Sequence, residues 1–236
     1  MTDAAARMDR MYRYQRYIYD LTRKYYLLGR DQAIAALQPP PGGTVLEIGC
    51  GTGRNLVKIA AAYPEIRAFG LDVSEEMLKT AQAAIEGKNL GHRVTVAQGD
   101  ATRFSPEALF SQATFDRILF SFSLSMIPEW RQTLDHTTGL LSPSGEIHVV
   151  DFGNQDQLPR WFRNLLEIWL GWFGVHHHPG LVPAMGDLAA RDAEFFAQTL
   201  VESCHFEPQN VQCLLDEEAT WEPLQDDKTD EDDIVF

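Results

Sequence analysis

The sequence predicts an α/β domain built on a mainly parallel sheet, and three observations predict it. Short β-branched runs alternate with helical patterns through the first two thirds of the chain, as in consecutive βαβ units. A glycine-rich turn, Gly49-Cys50-Gly51-Thr52-Gly53, stands where the first run gives way to the first helical pattern. Two acidic residues, Asp72 and Asp100, follow the second and third runs, so three strand ends converge on one crevice.

Taken in order, strands are expected over 44–48, 67–72, 93–98, 115–120 and 146–151. Helices are expected over 54–63, 74–86 and 129–141. Ser74 is placed to cap the second of these ahead of Glu75, Glu76 and the apolar stripe Met77, Leu78, Ala81. The turn Ser142-Pro143-Ser144-Gly145 ends one element and begins the fifth strand. A further helix over 187–204 leads to a strand over 210–215, and 218–224 is a weak candidate for the strand that closes the sheet.

Length and composition fit one catalytic-sized unit. The 236 residues are 44% hydrophobic and 23% charged, enough apolar material for a core. A net charge of −14 disfavours a nucleic-acid partner over most of the surface. Cys50, Cys204 and Cys213 are an odd count without C-x-x-C spacing, which indicates neither a disulfide framework nor a zinc site, and no metal is expected. His176 to His178 read as an exposed loop, because adjacent side chains diverge. No secretory pattern opens the chain, so a reducing cytoplasm is the expected location.

Charge divides the chain further. Residues 1–30 hold seven basic and three acidic residues, whereas 216–236 hold ten acidic and one basic. The expected organisation is an N-terminal helical, aromatic and basic substrate cap over 1–43, a core domain over 44–225, and an acidic tail over 226–236. The tail is either a solvated, disordered extension or a docking segment.

The glycine turn narrows the chemistry. A dinucleotide fingerprint needs a third glycine where Arg54 stands, and no Gly-Lys-Ser/Thr follows, which excludes a P-loop. The run Glu47-Ile48-Gly49-Cys50-Gly51-Thr52-Gly53 instead resembles the first motif of class I S-adenosylmethionine-dependent methyltransferases. That resemblance implies a Rossmann-like fold with a mainly parallel, seven-stranded sheet and helices on both faces. It also implies S-adenosylmethionine as cofactor. Asp72 would accept from both ribose hydroxyls and Asp100 from the adenine amino group, while the segment Ser121 to Pro128 would line the pocket where the methyl group departs.

Two segments flank this core. Six of the seven tyrosines fall between Tyr12 and Tyr26. On a helix of about 100° per residue, Tyr12, Tyr14, Tyr17, Tyr19 and Tyr25 join Met8, Met11, Ile18 and Leu21 on a broad arc. Such an arc either holds a cationic ammonium through ring faces or packs on the core with its hydroxyls outward. The tract 161–173 carries Trp161, Trp169 and Trp172 beside arginines. It reads as an interfacial helix in a headgroup layer, as a dimer interface, or as a cover for the sheet.

The runs MDRMYRYQRYIYDLTRKYYLLGRD, LEIGCGTGRNL, FDRILFSFSLSMIPEWR and LPRWFRNLLEIWL are similar to the bacterial betaine-lipid N-methyltransferases. That family converts diacylglyceryl-homoserine into its trimethylated betaine lipid. The resemblance implies that Glu47, Gly49, Gly51, Gly53, Asp72, Asp100, Ala101 and Ser121 bind the cofactor. Tyr19, Tyr26 and Arg30 would close over its methionine end.

Tyr12, Tyr19 and Asp151 would orient the amine, although Asp151 has an equally weighted role as a cap or loop ligand. The implied partners are a lipid or amphipathic amine, peripheral contact with the inner membrane face through 161–173, and a second enzyme that makes the homoserine lipid. The alternatives are a methyltransferase for another lipid-like acceptor, such as a quinone precursor or an aminophospholipid, and a cofactor-binding scaffold subunit without turnover.

Overall fold

The computed structural model describes residues 29–151, 180–181 and 183–185, together with the backbone of 204–207 and 210–213. Five strands form one sheet: β1 (Thr44–Ile48), β2 (Arg67–Asp72), β3 (Val94–Gln98), β4 (Phe115–Ser121) and β5 (Leu141–Val150). Their order is β3-β2-β1-β4-β5 and every neighbouring pair is parallel. All five carboxyl ends therefore lie at one edge, and the order reverses direction between β1 and β4, where open α/β sheets leave a crevice.

The helices are α1 (Arg30–Ala36), α2 (Arg54–Ala62), α3 (Glu75–Gly87), α4 (Pro106–Phe110) and α5 (Trp130–Thr138). They cover both faces. On one face Ala33, Ile34, Leu56, Ile59, Leu78 and Ile85 pack on Val45, Ala68, Leu119 and Val150. On the other, Phe104, Phe110, Trp130 and Leu134 pack on Leu46, Ile48, Phe69, Ile118, Phe120 and Ile147. With apolar side chains required on both sides, β1 is buried at every position, as a central parallel strand must be.

Ser74 caps α3 as its sequence context predicts, its hydroxyl accepting from the Met77 N–H. The end of the sheet where the strands begin is tied by one carboxylate. Asp116 Oδ2 accepts from the Thr44 N–H at 2.8 Å and from its hydroxyl at 3.0 Å, while Oδ1 accepts from the Ser142 hydroxyl at 2.8 Å. Burial alone would raise this carboxyl, but these donors and Arg117 hold it below the ordinary value.

Several expectations need correction. The fifth strand begins at Leu141 rather than at 146, because the Phe115 N–H donates to the Leu140 carbonyl and pairing runs through the Ser142–Gly145 turn as an irregularity between Phe115 and Arg117. The helix expected over 187–204 does not include residue 204: Cys204–Glu207 is a strand, β6, antiparallel to β7 (Asn210–Cys213). These two strands form their own ladder, so the described parallel sheet has five strands, and a single seven-stranded sheet is not seen among the described residues. One short helix, α4, was not expected, whereas α1 lies within the segment 1–43 that the sequence reads as helical. The segments 1–28, 161–173, 187–203 and 214–236, with the tyrosine arc, the tryptophan tract and the acidic tail, lie outside the described residues. Among the described residues no helix is long and apolar enough to cross a membrane.

His148 on β5 is 2% exposed, with its Nε2 3.2 Å from Glu146 Oε2. Burial pushes its imidazole below the usual value, against the pull of Glu146, with Arg117 adding to the depression. The unfolded chain therefore takes the proton more readily, and stability contributed by neutral His148 is lost as pH falls below about 6.5. The depressed carboxyls Asp100, Asp116 and Glu146 give up their contributions only at lower pH, near and below the ordinary carboxylate range. We expect the melting temperature to fall between pH 7.5 and 5.5, and His148→Gln to flatten that slope in parallel melts. Identical slopes would contradict the assignment.

Candidate active site

The crevice is built from the loop that leaves β1. Gly49 and Cys50 both donate their N–H groups to the Leu71 carbonyl, at 2.8 and 3.0 Å, which folds the loop over the end of β2. Gly49 has φ +72°, and a Cβ there would lie 2.6 Å from Ser123 Cβ, so the position requires glycine on both counts. Gly53, at φ +76°, begins α2, and a Cβ there would meet Ala81 Cβ at 2.9 Å. Its lack of a side chain lets α3 approach. No side chain caps α2, so its first N–H groups are not taken by a capping oxygen.

Asp72 stands at the end of β2 with its carboxylate fixed by two backbone donors. Oδ2 accepts from the Gly51 N–H at 2.8 Å, and Oδ1 accepts from the Ser74 N–H at 2.9 Å. A carboxylate offers about four acceptor sites, so these bonds chiefly set its plane. Asp72 pairs in register with Gln98, and the Gly99 N–H donates to the Asp72 carbonyl, which brings Asp100 to the adjoining strand end. Asp100 Oδ1 accepts from the Thr102 N–H at 3.0 Å and hydroxyl at 2.7 Å, and Oδ2 meets Arg103 Nε at 3.1 Å. Burial would raise its carboxyl, but these partners hold it below the ordinary value. Ala101 follows, packed against the core.

Glu47 lies beneath the loop, 2% exposed, and its Oε1 accepts from Asn55 Nδ2 at 2.8 Å. Asn55 was missed from sequence. Its signal was a lone amide on the face of α2 that otherwise buries Leu56 and Ile59. Cys50 registers the electrostatics of the crevice: burial first, and then the charges of Asp72 and Glu47, push its thiol well above the ordinary value. The thiol is therefore protonated at neutral pH and is no nucleophile. The same two carboxylates favour a cationic ligand over an anionic one.

The opposite wall comes from β4 and β5. Ser121 ends β4, Phe122 turns at φ +54°, and Ser123 overlies Gly49 before the short 3₁₀ turn Leu124–Met126. Asp151 is fully buried, and its Oδ2 accepts from the Ser125 N–H at 3.0 Å. Of its two expected roles, that of loop ligand is thus visible. Arg30, the first residue of α1, is buried. Its neighbour Asp31 contacts Arg54 and Lys58 of α2 at 3.5 and 2.9 Å, so α1 begins beside the glycine loop. The structure therefore gathers Glu47, Gly49, Gly51, Gly53, Asp72, Asp100, Ala101, Ser121 and Asp151 at the strand ends. Tyr12, Tyr19 and Tyr26 lie outside the described residues.

Residues 45–145 match a family model described as a methyltransferase domain. The segment is a class I S-adenosylmethionine-dependent methyltransferase domain, for which S-adenosylmethionine is the methyl donor. The chain is 29% identical over 139 residues to the demethylmenaquinone methyltransferase of Listeria welshimeri, covering 58% of this chain and 56% of that protein. It is 26% identical over 176 residues to the ubiquinone/menaquinone biosynthesis C-methyltransferase UbiE of Cereibacter sphaeroides, covering 75% of this chain and 64% of that protein. The matched stretches thus span between half and two thirds of the length of these curated relatives. Among solved structures, the YcgJ protein from Bacillus subtilis has the same fold, with a TM-score of 0.56, 19% identity, and coverage of 69% of this chain and 67% of that one.

Asp72→Ala removes a carboxylate that organises both the loop and the turn into α3. We expect S-adenosylmethionine affinity to drop about tenfold to a hundredfold, the range for hydrogen bonds to a charged acceptor. Titration calorimetry checks this, and an unchanged affinity would contradict the placement. Gly49→Ala is expected to weaken binding comparably, because its Cβ displaces Ser123.

Proposed function

We propose that the chain transfers methyl groups from S-adenosylmethionine to an amphipathic amine, and that this amine is the amino group of diacylglyceryl-homoserine. The observation that carries the methyl-transfer part is the convergence of the glycine loop, Asp72 and Asp100 at three adjacent strand ends, within the segment that matches the methyltransferase domain. In this reading Glu47, Gly49, Gly51, Gly53, Asp72, Asp100, Ala101 and Ser121 hold the cofactor. Arg30 pairs with its carboxylate, and the negative crevice suits its sulfonium and ammonium charges. Tyr19 and Tyr26 would close over its methionine end, Tyr12 and Tyr19 would orient the amine, and Asp151 would fix the wall against which it is oriented.

The amine acceptor rests on the likeness to betaine-lipid N-methyltransferases of the N-terminal tyrosine run and the tryptophan tract, together with the motifs of the core. An aliphatic amine suits the crevice because its neutral form needs only alignment and exclusion of water to displace the sulfonium methyl. An α-amino group of reference pKa about 7.7–8.0 supplies an appreciable neutral fraction near neutrality. The tract 161–173 would draw the enzyme to the cytoplasmic face of the membrane, where such an acceptor resides.

A second reading is favoured by the names of the curated relatives: methylation of a ring carbon of a quinone precursor. That reaction also takes an amphipathic acceptor, but it requires removal of a ring proton. The matched stretches cover 56% and 64% of those relatives, so the names weigh on the domain the proteins share more than on the segments outside it.

Purified protein with methyl-deuterated S-adenosylmethionine, offered diacylglyceryl-homoserine or demethylmenaquinone in vesicles, distinguishes the two by lipid mass spectrometry. One, two and three labelled methyls on the homoserine lipid are expected. A single label on the quinone, with none on the lipid, would overturn the amine reading in favour of the second.

A further inference from the structure

Three hydroxyls at the head of the crevice have no hydrogen-bond partner among the described residues: Ser121 Oγ, Ser123 Oγ and Ser125 Oγ. Their residues are 5%, 6% and 3% exposed. A buried hydroxyl without a partner costs about 1–3 kcal/mol, and three within five residues call for a common cause. Their placement is deliberate in the fold. Ser121 is the last residue of β4, and the left-handed Phe122 between it and Ser123 is a conformation that costs a non-glycine residue stability. That turn lays Ser123 over Gly49, and the bond from the Ser125 N–H to Asp151 holds the third serine at the end of β5. No Lys, Arg or His stands in 121–128.

A wall of neutral hydroxyls beside the methyl-donor loop, with a carboxylate behind it, suits a donor-bearing, uncharged group that becomes cationic. We infer that the Ser123 and Ser125 hydroxyls accept the N–H groups of the substrate amine and so aim its lone pair at the sulfonium methyl in the first two transfers, but not in the third. The inference rests on the amine reading above. In each transfer the nitrogen lone pair forms the new N–C bond, and the C–S bond breaks with its electron pair left on sulfur as a neutral thioether. After the first and second transfers the ammonium releases one proton to water, which restores a lone pair. The primary amine carries two N–H groups, the monomethyl amine one and the dimethyl amine none. Hydroxyl acceptors therefore have nothing to hold in the last transfer, whose quaternary product keeps its charge.

The test measures kcat/KM of the full chain on unmethylated, monomethylated and dimethylated diacylglyceryl-homoserine, each in vesicles of one composition. Wild type is compared with the double variant Ser123→Ala, Ser125→Ala. Ser123→Cys, which keeps the volume and weakens the acceptor, is a second variant in case the double variant does not fold. The ratio of activity on the dimethyl to the unmethylated lipid is expected to rise up to about tenfold in Ser123→Cys, the effect of weakening one hydrogen bond in the transition state, and further in the double variant, which loses two. An equal loss on all three lipids, or no loss on any, with wild type active, would overturn the hydroxyl role and leave the amine reading standing. No product from wild type on any of the three lipids would overturn both.

Discussion

The site hangs on the attachment of the glycine loop to the second strand. Leu71 takes two loop N–H groups on one carbonyl, and the next loop N–H, from Gly51, goes to the side chain of Asp72. Those three bonds turn the chain back at the end of β1 and start α2 in the same step. They also fix the plane of the carboxylate that would face the ribose. Parallel register then carries the geometry outward: Asp72 lies opposite Gln98, and Ser121 lies opposite Val150, so each strand end is placed by its neighbour. Close packing makes the arrangement intolerant, since a single methyl group at Gly49 or Gly53 would meet Ser123 or Ala81.

Charge gives the crevice its selectivity. Glu47 and Asp72 both bear on Cys50, which stays a thiol, and Glu47 accepts a hydrogen bond from the Asn55 amide. Such a site would repel a pyrophosphate and attract a sulfonium. The absence of a third glycine at Arg54 agrees with that choice, because the loop does not wrap a diphosphate. In the proposed reading, the Ser121, Ser123 and Ser125 hydroxyls and the buried Asp151 carboxylate would receive an amine in its neutral form and tolerate the cation it becomes.

Much of this was legible in the sequence because the cofactor half of the domain is written locally. Strand ends, the positive-φ glycines and the Ser74 cap each have short-range signatures, and the acids follow strands whose ends are easily found. The start of β5 was not legible, since Ser142-Pro143-Ser144-Gly145 has turn chemistry while its pairing depends on a bond from Phe115 to Leu140. Asn55 escaped because its role depends on Glu47, eight residues away and on another element. The pairing of 204–207 with 210–213 lost to a helical pattern upstream that looked able to continue through Cys204. The grouping of Ser121, Ser123 and Ser125 into one wall required the left-handed turn at Phe122, which no residue type announces.

The measurement that bears most directly on the account is calorimetric titration of the full chain with S-adenosylmethionine and, separately, with S-adenosylhomocysteine. The account predicts saturable binding of each, one molecule per chain, competitive with the other and abolished or strongly weakened when the glycine loop is distorted. No saturable heat with either ligand from folded protein would contradict it, because a crevice formed by this loop and these carboxylates would then serve some other ligand.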